Sequence, residues 1–131
     1  MNKLTQYGHP FQTKALAALV TDRDFLQQSA DIVSPDYFDS DASKWIVRKT
    51  LTYFSEYRTV PTMEVFKVET EKIQNEVQAV AVKEQLKETY KSSQVKDLEY
   101  IKDTFLDFCK NQTLKNALIR SVDLLELGDY D

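Results

Sequence analysis

The residues of this chain best suited to chemistry are few and far apart. His9 is the sole histidine and Cys109 the sole cysteine. A metal centre or a catalytic dyad needs several such groups brought together. His9 falls in what reads as a loose N-terminal arm, and no ligand role is expected of it. Cys109 falls on the inner or intermediate face of a long helix, where a thiol with no base or cation beside it is an inert buried group. The carboxylates are scattered at solvated helix positions, and no pair stands out as an acid and base. With two glycines in the chain, neither G-x-x-x-x-G-K-S/T nor G-x-G-x-x-G can occur, so no recognised phosphate-cradling loop exists. No catalytic, cofactor-binding or metal-binding residue is expected.

Two features could meet nucleic acid. Lys83, Lys87 and Lys91 form a row four residues apart, but Glu84 and Glu88 lie beside it, which is the pattern of a solvated helix face. Tyr53, Phe54 and Tyr57 could stack bases, yet their spacing is that of a core stripe, and core is the expectation. A net charge of −4 and a pI near 5.1 also argue against a surface built to neutralise phosphates. Composition points to protein partners, with direct nucleic-acid contact disfavoured.

The elements that must position these residues are helical. Two glycines and three prolines in 131 residues are too few turn-formers for an all-β chain. One domain is expected from the length, and the lone cysteine suits a cytoplasmic setting without disulfides. The longest N-terminal apolar run, Ala15 to Val20, is too short for a signal peptide or a membrane span. Residues 1–9 carry no period. From Pro10 on, Phe11, Ala15, Leu16, Leu19 and Val20 recur at helical spacing. Thr21-Asp22-Arg23-Asp24 resembles a capping box opening a second helix, with Phe25, Leu26, Ser29, Ile32 and Val33 inward.

Ser34-Pro35 makes a short turn, and Asp39, Ser40 or Asp41 caps a helix that Pro61 stops near Val60. Trp45, Ile46, Tyr53, Phe54 and Tyr57 share one broad face of that helix, which is expected to be the centre of the domain. Thr62 caps the next helix, with Val65, Phe66, Glu69 and Ile73 as its stripe. A weaker pattern from Gln74 to Tyr90 turns Val77, Val80 and Ala81 inward, with Val82, Leu86 and Tyr90 as a second row. Lys91-Ser92-Ser93-Gln94 reads as a linker that caps the last helix, Val95 to Leu127, with Gly128 beyond it.

That last helix would reach about 50 Å at 1.5 Å per residue, longer than a domain this size is wide. Leu98, Ile101, Phe105 and Phe108 form its first apolar stripe, and Lys110-Asn111-Gln112-Thr113 interrupts it. Leu114, Leu118, Val122 and Leu125 resume the stripe, with Ile119 and Leu124 alongside. The first half is expected to lie on the domain and the second half to project. Leu114, Leu118, Ile119, Val122 and Leu125 are the expected partner-binding residues.

The chain resembles the N-terminal domain of DnaB-type hexameric replicative helicases, most nearly the version in tailed phages of the T-even group. The resemblance spans residues 10–131. It rests on Leu16-Ala17-Ala18-Leu19-Val20, Asp24-Phe25-Leu26, Asp36-Tyr37-Phe38-Asp39-Ser40 and Lys44. It continues through Glu56-Tyr57, Val60-Pro61-Thr62, Glu69 and Tyr100-Ile101, and closes on Leu127-Gly128. Gln12-Thr13-Lys14 departs from the acidic pattern of bacterial members.

The resemblance implies an all-α fold: a small bundle of about six helices whose long C-terminal helix is the first arm of a helical hairpin. The organisation expected is a flexible arm (1–9), a helical bundle (10–93) and the long helix (94–131). The implied role is non-catalytic, namely collar formation with other helicase subunits and docking of a primase or helicase loader, in a bacterial cytoplasm and with no membrane contact. Helicase activity, with ATP and magnesium, would belong to an ATPase domain that this chain lacks. The alternatives are a stand-alone phage adaptor, loader or inhibitor of a replicative helicase, and a small helical nucleic-acid-binding protein.

Overall fold

The computed structural model describes residues 3–128. Among them every regular element is a helix. A 3-10 turn (Leu4–Tyr7) leads into α1 (His9–Thr21) and α2 (Arg23–Ser29). A second turn (Pro35–Tyr37) precedes α3 (Asp41–Tyr57), α4 (Met63–Glu71) and α5 (Glu76–Lys91). A third turn (Ser92–Gln94) then introduces α6 (Leu98–Glu126).

The helix starts follow from side-chain caps. Ser34, Ser40, Thr62 and Asn75 accept from the amides of Asp36, Ser43, Val65 and Gln78 at 3.0–3.3 Å. The cap of α2 is Asp22, which accepts from the Phe25 amide at 3.1 Å, one residue later than the expected Thr21. Thr21 instead closes α1, donating its hydroxyl to the Ala17 carbonyl. The expected cap from the Lys91–Gln94 segment is absent too. That segment coils into the third turn, and Asp97 stands at the start of α6 with no side-chain cap bond. The Asp97 carboxylate pairs with Lys14 of α1 at 2.9 Å instead.

Helix α3 stops at Tyr57, short of Val60, because Arg58 turns left-handed at φ 58°. Its amide donates back to the Phe54 carbonyl at 2.9 Å, and its own carbonyl accepts from Arg23 Nε at 2.8 Å. The end of α3 is thereby tied to the start of α2.

The centre of the domain is α1, not α3. Nine of its thirteen residues are buried, and it touches α2, α3, α5 and α6 as well as the first and third turns. A helix apolar on all sides belongs in the interior. Ala15, Ala17 and Ala18 are fully buried and let neighbouring backbones approach closely. The periodic residues Phe11, Ala15, Leu16, Leu19 and Val20 describe only part of this surface, since Ala17 and Ala18 complete it.

Three further expectations are corrected. Residues 3–8 do not form a loose arm. Leu4 is fully buried, and the Tyr7 ring stacks on Phe11 at 4.6 Å and stands edge-on to Phe108 at 6.1 Å. Residues 1–2 lie outside the described residues. Tyr53 and Tyr57 are not core: Tyr57 is 62% exposed, and Tyr53 is only partly buried. Val77, Val80 and Ala81 face outward, while Val82, Gln85 and Thr89 face in, with Leu86 and Tyr90 partly covered. The inner row of α5 is half polar, which blurs its apolar period. Ile32 and Val33 contribute to the core from beyond the end of α2.

Candidate functional site

Helix α6 divides at Gln112. Before it, Ile101, Phe105, Phe108 and Cys109 are buried against the body. Phe105 meets Phe25 and Phe38 at 6.0 Å, and Phe108 meets Tyr37 at 5.3 Å. Gln112, expected within a polar break, continues this face and is buried, with no hydrogen-bond partner for its Oε1. From Thr113 to Gly128 every residue is exposed.

All five expected partner-binding residues lie in this free half. Leu114, Leu118, Ile119, Val122 and Leu125 are each 50–60% exposed. The distal stripe does not resume the proximal one, however. At about 100° per residue, Leu114, Leu118, Val122 and Leu125 cluster about 130° around the axis from the body-facing residues Ile101 to Gln112. Ile119 lies outside the cluster, about 105° from its centre and on the body-facing side. The proximal half places the exposed Tyr100, Asp107 and Asn111 on the meridian that the leucines later occupy. In the distal half Asn116, Ile119 and Asp123 take the meridian that had faced the body. The main apolar stripe thus changes face within one turn. A helix written in this way can bury its second stripe only against something other than the surface beneath its first half.

The remaining candidates are structural. His9 opens α1 and places Nε2 3.0 Å from Glu88 of α5 and 3.4 Å from the Thr13 hydroxyl. Gln85 extends this seam, donating to Thr13 at 3.5 Å and to Thr89 at 3.3 Å. His9 therefore helps hold α1 to α5. Among the described residues no group of three or more histidine, cysteine or acidic side chains could hold a metal ion. Cys109 is fully buried, and burial pushes its thiol up to about 12, so almost no thiolate forms at neutral pH.

In the lysine row, Lys83 pairs with Glu71 at 3.9 Å and Lys87 with Glu84 at 3.8 Å. This is the solvated face expected. No helix among the described residues is long and apolar enough to cross a membrane.

Periodicity did not reveal a groove between α3 and α4. Its lining includes Tyr53, Tyr57, Pro61 and Val68, and its volume is about 600 Å³. The one sequence signal for it was the aromatic pair itself, read as core.

Fold and surface together define an all-helical body carrying a half-free amphipathic helix. Comparison with protein-family models, curated proteins and solved structures gives no match.

Proposed function

We propose that this chain is a non-catalytic assembly and docking domain of a phage replicative DNA helicase, acting through the distal half of α6. The observation that carries the reading is the apolar stripe beyond Gln112, exposed along a helix already anchored by its first half. The all-helical bundle and its long last helix agree with what the resemblance implies. A partner helix laid on the stripe, whether from another subunit, a primase or a loader, would bury apolar surface that the body leaves open. Covering about 500 Å² on each side corresponds to a gross gain of about 25 kcal/mol. Association costs of about 4–15 kcal/mol and side-chain ordering offset much of it. The reading assigns the chain no chemistry of its own, and leaves ATP hydrolysis to a separate ATPase domain.

The test is substitution within the stripe. Leu118→Asp with Val122→Asp should abolish self-association or partner capture in sedimentation. The thermal midpoint of the monomer should fall by no more than about 5 °C, because two exposed positions contribute about 0.5 kcal/mol or less each. Unchanged mass and unchanged partner binding would sink the proposal.

A further inference from the structure

We infer that the groove between α3 and α4 docks a partner segment carrying an arginine or lysine side chain next to an apolar one. The site is independent of α6, which packs on α1 and α2. Its wall is the tyrosine pair Tyr53 and Tyr57, with ring centroids 4.6 Å apart. Tyr57 and Val68 are 62% and 59% exposed, so two large apolar side chains of one groove face water.

The charges select the occupant. Lys49 and Lys72 both reach Glu69, at 3.5 and 2.6 Å, and hold that carboxyl below its usual range, the hydrogen bond from Lys72 contributing most. Glu56 and Glu64 also line the groove. They are exposed and take part in no ion pair among the described residues. The groove therefore combines aromatic faces with a net charge of −1, from Glu56, Glu64 and Glu69 against Lys49 and Lys72. A guanidinium or ammonium group lies favourably over a tyrosine ring, and its alkyl stem covers apolar surface such as Val68. The same carboxylates repel phosphate. Single-stranded nucleic acid, which a tyrosine pair alone would suit, is the disfavoured occupant.

The experiment titrates the isotope-labelled chain with three probes. These are an unstructured peptide of alternating leucine and arginine, the same peptide with glutamate for arginine, and an oligothymidine. The arginine peptide alone should shift the amide resonances of Tyr53, Tyr57 and Val68. Its affinity should fall about five-fold in the Glu56→Gln, Glu64→Gln double variant and about ten-fold in Tyr57→Ala, with resonances elsewhere unmoved. An equal response to the glutamate peptide or to oligothymidine overturns the inference. So does a response confined to residues 114–125, or no response to the arginine peptide at millimolar concentration.

Discussion

Asp22 does two jobs with one carboxylate. Oδ1 accepts from the Phe25 amide at the start of α2, and Oδ2 meets Lys102 of α6 at 2.6 Å. The hydrogen bond from Lys102 is the largest of several influences that hold the Asp22 carboxyl below its usual value. Burial disfavours the Lys102 ammonium, but hydrogen bonds to Asp22 and Glu99 outweigh it and raise that group. The signs are opposite at the two ends of the pH scale. A lowered carboxyl stabilises the fold above its unfolded value near 3.9 and loses that contribution as pH falls through the folded value. A raised lysine contributes below about 10.4 and is lost as pH climbs through its folded value.

Substitutions separate the two jobs. Asp22→Asn keeps a capping side chain and should lose only the charged partner of Lys102, about 1 kcal/mol. Asp22→Ala removes both and should cost about 2–3 kcal/mol by urea denaturation at neutral pH. Equal losses in the two variants would assign the whole effect to the ion pair. The cap was legible to within one residue. The link to Lys102 was not, because nothing local in the sequence couples positions 22 and 102.

At the scale of the element, α6 shows what periodicity can and cannot convey. Its length, its anchored first half and its free second half follow from the spacing of Leu98 to Leu125. The rotation between the two stripes does not emerge from spacing read in separate halves, since each half alone is an ordinary amphipathic pattern. Gln112 misled for a related reason. A polar residue in an apolar stripe looks like a break in the face, yet Gln112 occupies that face and is buried. The division at Gln112 should appear in hydrogen exchange. In the dissociated chain, amides of 114–126 should exchange through local fraying, while those of 101–112 should be protected to nearly the global stability, which is of the order of 5–15 kcal/mol. Uniform protection along the helix would mean that the distal half is covered.

For the molecule as a whole, the helix at the centre is α1 rather than α3. Helix α3 is rich in aromatic residues, but its outer turn carries Tyr53 and Tyr57 at the surface, where they line a groove. The run Ala15-Leu16-Ala17-Ala18-Leu19-Val20 has too few large side chains to stand out, yet alanine is what a helix needs when neighbours press on it from several sides. All-helical architecture was legible from composition and spacing. Which helix would be enclosed was not, because small side chains give a weak periodic signal.

The consequence can be measured. Ala18→Leu inserts bulk where the side chain is fully buried and should cost about 1–3 kcal/mol. Val77→Ala on α5, where the side chain is 81% exposed, should change stability by about 0.5 kcal/mol or less. Comparable thermal midpoints for the two variants would contradict the assignment of α1 as the hub.

The change of face at Gln112 also makes direction a matter of counting. A single residue inserted between Gln112 and Leu114 would leave the body untouched, yet it would swing the whole distal stripe about 100° around the helix axis. The bearing on which anything leaves this domain is thus set by the number of residues in one helical turn. An insertion or deletion there could re-aim an assembly without altering either of the surfaces that meet.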